Sequence, residues 1–238
     1  MSDPHVVSVI IIALVAGLMM PLGAIIAFNE HIQPKWLEQE IRHGIMALGA
    51  GALFSAVALV LVPEGIAELS TLPATLSFLG GAIAFMALDI YLARNKTPAS
   101  QLAAMLSDFV PESLALGATA ASGGGTLLLG LLIGVQNLPE GFNAYRAMEA
   151  SSARHPKKLI MKFAVLAILG PVCAAIGYYW LSEFPVVIAG IMLFAAGGIL
   201  YSVFQDMAPQ IYLDKHWLPP LGAIAGFLIG LIGYMLQS

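Results

Sequence analysis

Eight stretches of this chain each run for about 20 residues with almost no charge, and that pattern most narrows what it can fold into. They span about 6–28, 43–62, 74–93, 99–121, 126–145, 159–181, 186–208 and 218–236. A run of this length and apolarity is what a helix needs to cross the hydrocarbon core of a bilayer. The runs are continuous rather than alternating, which excludes a transmembrane β-barrel. Only 10% of the residues are charged and 59% are hydrophobic, with a mean hydropathy of +0.88. A soluble domain carries about 25% charged residues, so lipid has to serve as solvent for much of this surface. The expectation is one all-α polytopic transmembrane domain covering 1–238. The first apolar run follows Met1–Pro4 with no basic segment and no small-residue cleavage site, and reads as a retained helix.

The breaks carry turn chemistry: Gln33-Pro34, Leu72-Pro73, Thr97-Pro98, Gly123-Gly124-Gly125, His155-Pro156, Phe184-Pro185 and Pro219-Pro220. The basic residues are Lys35, Arg42, Arg94, Lys96, Arg146, Arg154, Lys157, Lys158, Lys162 and Lys215. All fall in or beside the first, third, fifth and seventh connections. Lys and Arg concentrate on the cytoplasmic side. The odd connections are therefore expected in the cytoplasm, with both termini on the extracellular or periplasmic side of the cell (inner) membrane. One missed helix would scramble this division. A single cysteine, Cys173, rules out a disulfide framework or a cysteine metal cluster.

A faint repeat joins the second and seventh helices. Ala50-Gly51-Ala52 through Pro63-Glu64 aligns without gaps on Ala196-Gly197-Gly198 through Pro209-Gln210. Because these helices run in opposite directions, a true repeat would be of the inverted kind found in transporters. Small-residue packing alone gives a similar pattern.

Ionisable residues deep in a bilayer cost roughly 3 kcal/mol or more each, so they mark function first. The fourth helix carries Asp108-Phe109-Val110-Pro111-Glu112-Ser113, the fifth Gln136-Asn137-Leu138-Pro139-Glu140-Gly141. Asp108 and Glu112 share a helical face, as do Gln136 and Glu140, and Asn137 is one turn before Glu140. Each proline removes a backbone donor and is expected to bend its helix, freeing the carbonyls of Ser107 and Val135. Five oxygen-bearing side chains, three of them carboxylates, could together replace a cation's hydration shell. Neutral, hydrogen-bonded packing glutamates, or a path for protons alone, would use the same residues.

Pro63-Glu64 is expected to close the second helix at its outer end, as a cap or as a point that attracts cations. Asp206 is expected at the outer end of the path or at the interface, and Asp89 in an interfacial pair with Arg94. His5, His31, His43, His155 and His216 all fall in connections or at helix ends. A central site would then have oxygen ligands only, which suits harder ions such as manganese. Imidazole and thiolate favour zinc or copper.

These two motifs, in these two helices of an eight-helix chain, resemble the ZIP (Zrt/Irt-like) divalent metal transporters, as a divergent bacterial-type member. The fourth helix of that family carries His-Asn-x-Pro-Glu-Gly and the fifth a ligand-x-x-Pro-Glu motif. Gln136-Asn137-Leu138-Pro139-Glu140-Gly141 fits the latter. Aligned on proline, Asp108 takes the histidine's place and Glu112 the glutamate's; a one-residue bulge would put Ser107 and Asp108 there instead. Phe194-Ala195-Ala196-Gly197-Gly198-Ile199-Leu200-Tyr201 is similar to the family's seventh helix, and Leu169-Gly170-Pro171-Val172-Cys173-Ala174 to its sixth. Gly170 stands where many members have the glutamate of a second metal position.

The resemblance implies a bundle in which helices 1–3 and 6–8 form an inverted repeat around helices 4 and 5. It implies uptake of a divalent cation of the zinc, iron or manganese class (cadmium included) by alternating access. The ion would be held by Asp108, Glu112, Gln136, Asn137 and Glu140, with no resident cofactor and no nucleic-acid partner. Monomer and homodimer both remain open. Gly17, Gly49, Gly51, Gly80, Gly81, Gly197 and Gly198 would let helices approach closely. Two other classes are weighed beside this. One is a membrane protein that binds metal for regulation without moving it. The other, an intramembrane enzyme, would use Ser113 and Asp108, but no histidine or lysine lies at that depth to activate a hydroxyl.

Overall fold

The computed structural model describes residues 4–30, 35–95, 98–121, 123, 125–152, 156–212 and 217–237. His31, Lys96, Arg154, His155, Lys215 and His216 lie outside the described residues. The described chain is all-helical, in eight helices: α1 (Pro4–Asn29), α2 (35–68), α3 (Thr71–Asn95), α4 (Pro98–Ala121), α5 (Thr126–Ser152), α6 (156–181), α7 (185–211) and α8 (Pro219–Gln237). In hydrocarbon every backbone N–H and C=O has to be paired within its own segment, and apolar runs of this length achieve that as helices. Several helices begin at a proline (Pro4, Pro98, Pro185, Pro219), whose missing N–H is harmless in the first turn.

Six of the eight helices are long and apolar enough to cross a membrane; α4 and α5 are not among them. Large apolar side chains such as Ile11, Leu76, Val165, Ile224 and Leu228 stand exposed on the outer faces. A water-facing surface would not be built this way, whereas a lipid-facing one is. The arrangement is that of a multi-pass helical membrane protein. The carboxylate-bearing helices α4 and α5 bury Phe109, Leu116, Leu129, Leu132 and Tyr145 almost completely against their neighbours.

Helix contacts are set by glycine. A Cβ on Gly51 would collide with the Ala223 carbonyl, and one on Gly226 with the Leu48 carbonyl, so α2 and α8 lie backbone to backbone. In α3 and α7 the corresponding pairs are Gly197 against Phe78 and Gly81 against Phe194. Between α1 and α5, Gly23 meets the Leu138 carbonyl and Gly141 that of Met20; between α6 and α4, Gly177 meets Leu114 and Gly117 meets Ala174. Such close approach lets dispersion and Cα–H···O contacts stand in for a hydrophobic driving force that lipid cannot supply. Of the glycines expected in this role, Gly80 has open space about it, its nearest neighbour being a Phe194 atom at 4.0 Å.

α2 is longer than its apolar run. It begins at Lys35 and continues through Pro63 to Glu68 instead of closing there. The reason is a π turn at Val57–Leu61. A proline ring clashes with the carbonyl four residues earlier. For Pro63 that residue is Leu59, inside the wider π turn, which absorbs the clash. α7 solves the same problem in the same way, with a π turn at Val203–Met207 before Pro209. A third π turn, Gly177–Leu181, ends α6, which is also broken at Ile168. α4 and α5 remain single α-helices through Pro111 and Pro139.

Candidate metal site

Glu112 and Gln136 join the two central helices: the Gln136 amide donates to a Glu112 carboxylate oxygen at 2.5 Å, with both side chains buried. This contact sets the level of one helix against the other. α4 and α5 run antiparallel, so one turn along each from this contact brings Asp108 and Glu140 to a common level. Both line a cavity of about 460 Å³. The proline-based likeness of the two motifs pairs Glu112 with Glu140; in space Glu112 is level with Gln136, one turn away.

The cavity opens at the end of the bundle that carries the basic connections, with Arg42 and Arg146 in its wall. Asp89, Asn143, Asp206 and Gln210 also line it. Asp206, expected at the same end as Glu64 or at the interface, lies at the opposite end, in the last turns of α7 beside the seventh connection, and lines the cavity. Asp89 does not pair with Arg94; its carboxylate accepts the Tyr201 hydroxyl at 3.3 Å. The Arg146 guanidinium pairs with Glu30 at 2.5 Å, tying the end of α1 to α5, and lies 5.9 Å from the Phe142 ring centroid.

All five candidate residues hold a buried oxygen without a hydrogen-bond partner: Asp108 Oδ1, Glu112 Oε1, Gln136 Oε1, Asn137 Oδ1 and Glu140 Oε2. Asn143 Oδ1 and Ser113 Oγ share that condition. Leaving a buried acceptor unpaired costs about 1–3 kcal/mol, and more for a charged group. Such atoms normally find partners, so seven together on two neighbouring helices demand a reason. The carboxylates of Asp108, Glu112 and Glu140 are also close enough to act on one another electrostatically, and Asp108 senses Asp206.

Asn137 is turned toward α1. Its amide donates to the Ala16 carbonyl of α1 at 2.9 Å, which anchors α5 to α1. Among the described residues no three His, Cys, Asp or Glu side chains converge closely enough to hold an ion as they stand. At the opposite end of α2, Glu64 accepts a hydrogen bond from the Thr119 hydroxyl of α4 at 3.3 Å.

Asn143 escaped the motif reading, although Gln136, Glu140 and Asn143 follow a one-face helical spacing that marks it. Nothing local to Glu64 and Thr119, 55 residues apart, announces their contact. Neither the family models nor the curated proteins yield a match to this chain.

Proposed function

We propose that this protein is a ZIP-like transporter that carries divalent metal cations by alternating access, with eight membrane-spanning helices. One observation carries the reading. The five residues singled out by their chemistry are all among those with a buried oxygen that lacks a partner, and the chemical group that satisfies several acceptor oxygens at once is a cation. Three carboxylates cannot sit charged in a bilayer without compensation. A divalent ion offsets that charge, and the amide oxygens of Gln136 and Asn137 add neutral ligands. Because Glu112 lies one turn from the level that Asp108 and Glu140 share, the ion's shell is completed by small movements of α4 against α5 rather than by a rigid cage. That suits a cargo which has to leave again.

An inverted repeat of helices 1–3 and 6–8 is part of the proposal. The two π turns support it, since Val57 and Val203 are 146 positions apart, the same separation as Gly51 and Gly197. The glycine contacts support it too: exchanging α1 with α6, α2 with α7, α3 with α8 and α4 with α5 turns each set of close contacts into another. With the odd connections in the cytoplasm, the cavity is the inward-facing one. The acids Asp89 and Asp206 would draw a released ion along it.

The test is flux into proteoliposomes for zinc, iron, manganese, cadmium and magnesium, alongside the number of ions bound per chain. Saturable flux of at least one transition metal supports transport. Binding without flux would leave a metal-binding membrane protein instead.

A further inference from the structure

We propose that Glu64 and Thr119 form the outer gate of this protein, and that Asn143 and Gln210 are the matching inner gate, the two pairs closing in alternation. The inference rests on the alternating-access reading and adds the residues that close each end.

The argument begins at the axis between the halves. Glu112 and Gln136 touch each other and stand 24 positions apart. Other pairs that make like contacts in α4 and α5 share that separation: Gly117 with Gly141, Leu114 with Leu138, Ala118 with Phe142. Applied to Thr119, the relation gives Asn143. The α2–α7 relation of 146 positions, fixed by Gly51 with Gly197, Leu48 with Phe194 and the two π turns, takes Glu64 to Gln210. The partners of the outer contact therefore map onto two residues of the inner cavity wall.

The two ends are in opposite conditions. Thr119 donates to Glu64, whereas Asn143 Oδ1 has no partner and the Gln210 amide is turned back on the Asp206 carbonyl of its own helix. The counterparts of Asp108, Glu140 and Asp206 are packed and dry. Asp108 maps to Leu132 and Glu140 to Leu116, each 0% exposed, and Asp206 maps to Val60, 5% exposed. One end is sealed where the other is open. Exchanging the conformations of the two halves would bring Asn143 and Gln210 into contact and part Glu64 from Thr119. Asn143 and Gln210 both carry a donor and an acceptor, so they can make the same kind of bond.

The experiment uses the full chain with Cys173, its single cysteine, replaced (Cys173→Ser). Glu64→Cys with Thr119→Cys, and Asn143→Cys with Gln210→Cys, are made as separate pairs and together, reconstituted, and oxidised with copper phenanthroline. The expected result is that each pair forms its disulfide but no single molecule carries both bonds. Flux should stop in either locked form and return on reduction, which also shows that the variants are folded. Thr119→Val, which removes the outer hydrogen bond, should raise the yield of the inner disulfide several-fold, while Thr119→Ser should not. Failure of the inner pair to link where the outer one does, both bonds in one molecule, or flux through a locked form would each overturn the gate assignment. Cross-linking is scored without metal. Exclusive bonds with no metal flux would uphold the gates and remove the cargo reading; metal flux without exclusivity would do the reverse.

Discussion

Glu112 of α4 and Gln136 of α5 hydrogen-bond to each other at the centre of the bundle, and each keeps one further oxygen buried without a partner. A carboxylate and an amide held this way leave two buried acceptors close together without a second carboxylate's repulsion at the same level. Asp108 and Glu140 supply further charge one turn nearer the cavity. Gln136 is the neutral member of that contact, so ligand chemistry can be changed there without altering the count of carboxylates.

Gln136→His should shift cargo preference. The described oxygen set is matched to harder cations, and one imidazole among the ligands favours zinc. In the proteoliposome panel, the ratio of zinc to manganese flux should rise in this variant. An unchanged ratio would remove Gln136 from the ligand set.

Asp108→Asn keeps the volume and removes a charge from the cavity floor. Metal affinity should fall by at least roughly 10–100-fold, the loss that removing even an outer partner of a metal ligand brings. Titration of the purified protein measures it. Stability should hold or rise, because an unpaired buried charge is removed.

Gly51→Ala and Gly197→Ala should destabilise the protein similarly, by about 1–3 kcal/mol each, since the new methyl meets a neighbouring backbone carbonyl. Gly44→Ala is the control: nothing lies within 4 Å of its added carbon, and alanine is the better helix former by about 1 kcal/mol. Thermal unfolding in detergent compares the three. Equal midpoints for Gly44→Ala and Gly51→Ala would contradict the packing account.

Arg146→Met leaves Glu30, whose side chain is 6% exposed, without its partner. Breaking a buried pair from one side costs about 3 kcal/mol. The double variant with Glu30→Gln should recover part of that loss. Unfolding measurements on the two singles and the double give the coupling directly.

Much of this architecture was readable in the chain. The eight apolar runs became eight helices, six of them long and apolar enough to cross a membrane, where a helix is one of the few ways to pair every backbone group. Asp108, Glu112, Gln136 and Glu140 stood out because carboxylates and amides beside proline are rare in such runs. What could not be read depends on distant contacts. The π turn that carries α2 past Pro63 answers a ring clash that apolarity does not report. The level of α4 against α5 shows only in the long-range contact of Glu112 with Gln136, so aligning the two Pro-Glu motifs by sequence put them one turn out of register. Asp89 was assigned to Arg94 on spacing alone, and the Tyr201 hydroxyl of another helix took it instead.

Metal-dependent flux through Glu112→Ala and Glu140→Ala, each reconstituted in lipid vesicles and compared with the unaltered protein, tests the shared-ion site most directly. The account predicts that either substitution reduces uptake to the level of empty vesicles while the protein remains folded. Undiminished uptake by either variant would contradict it.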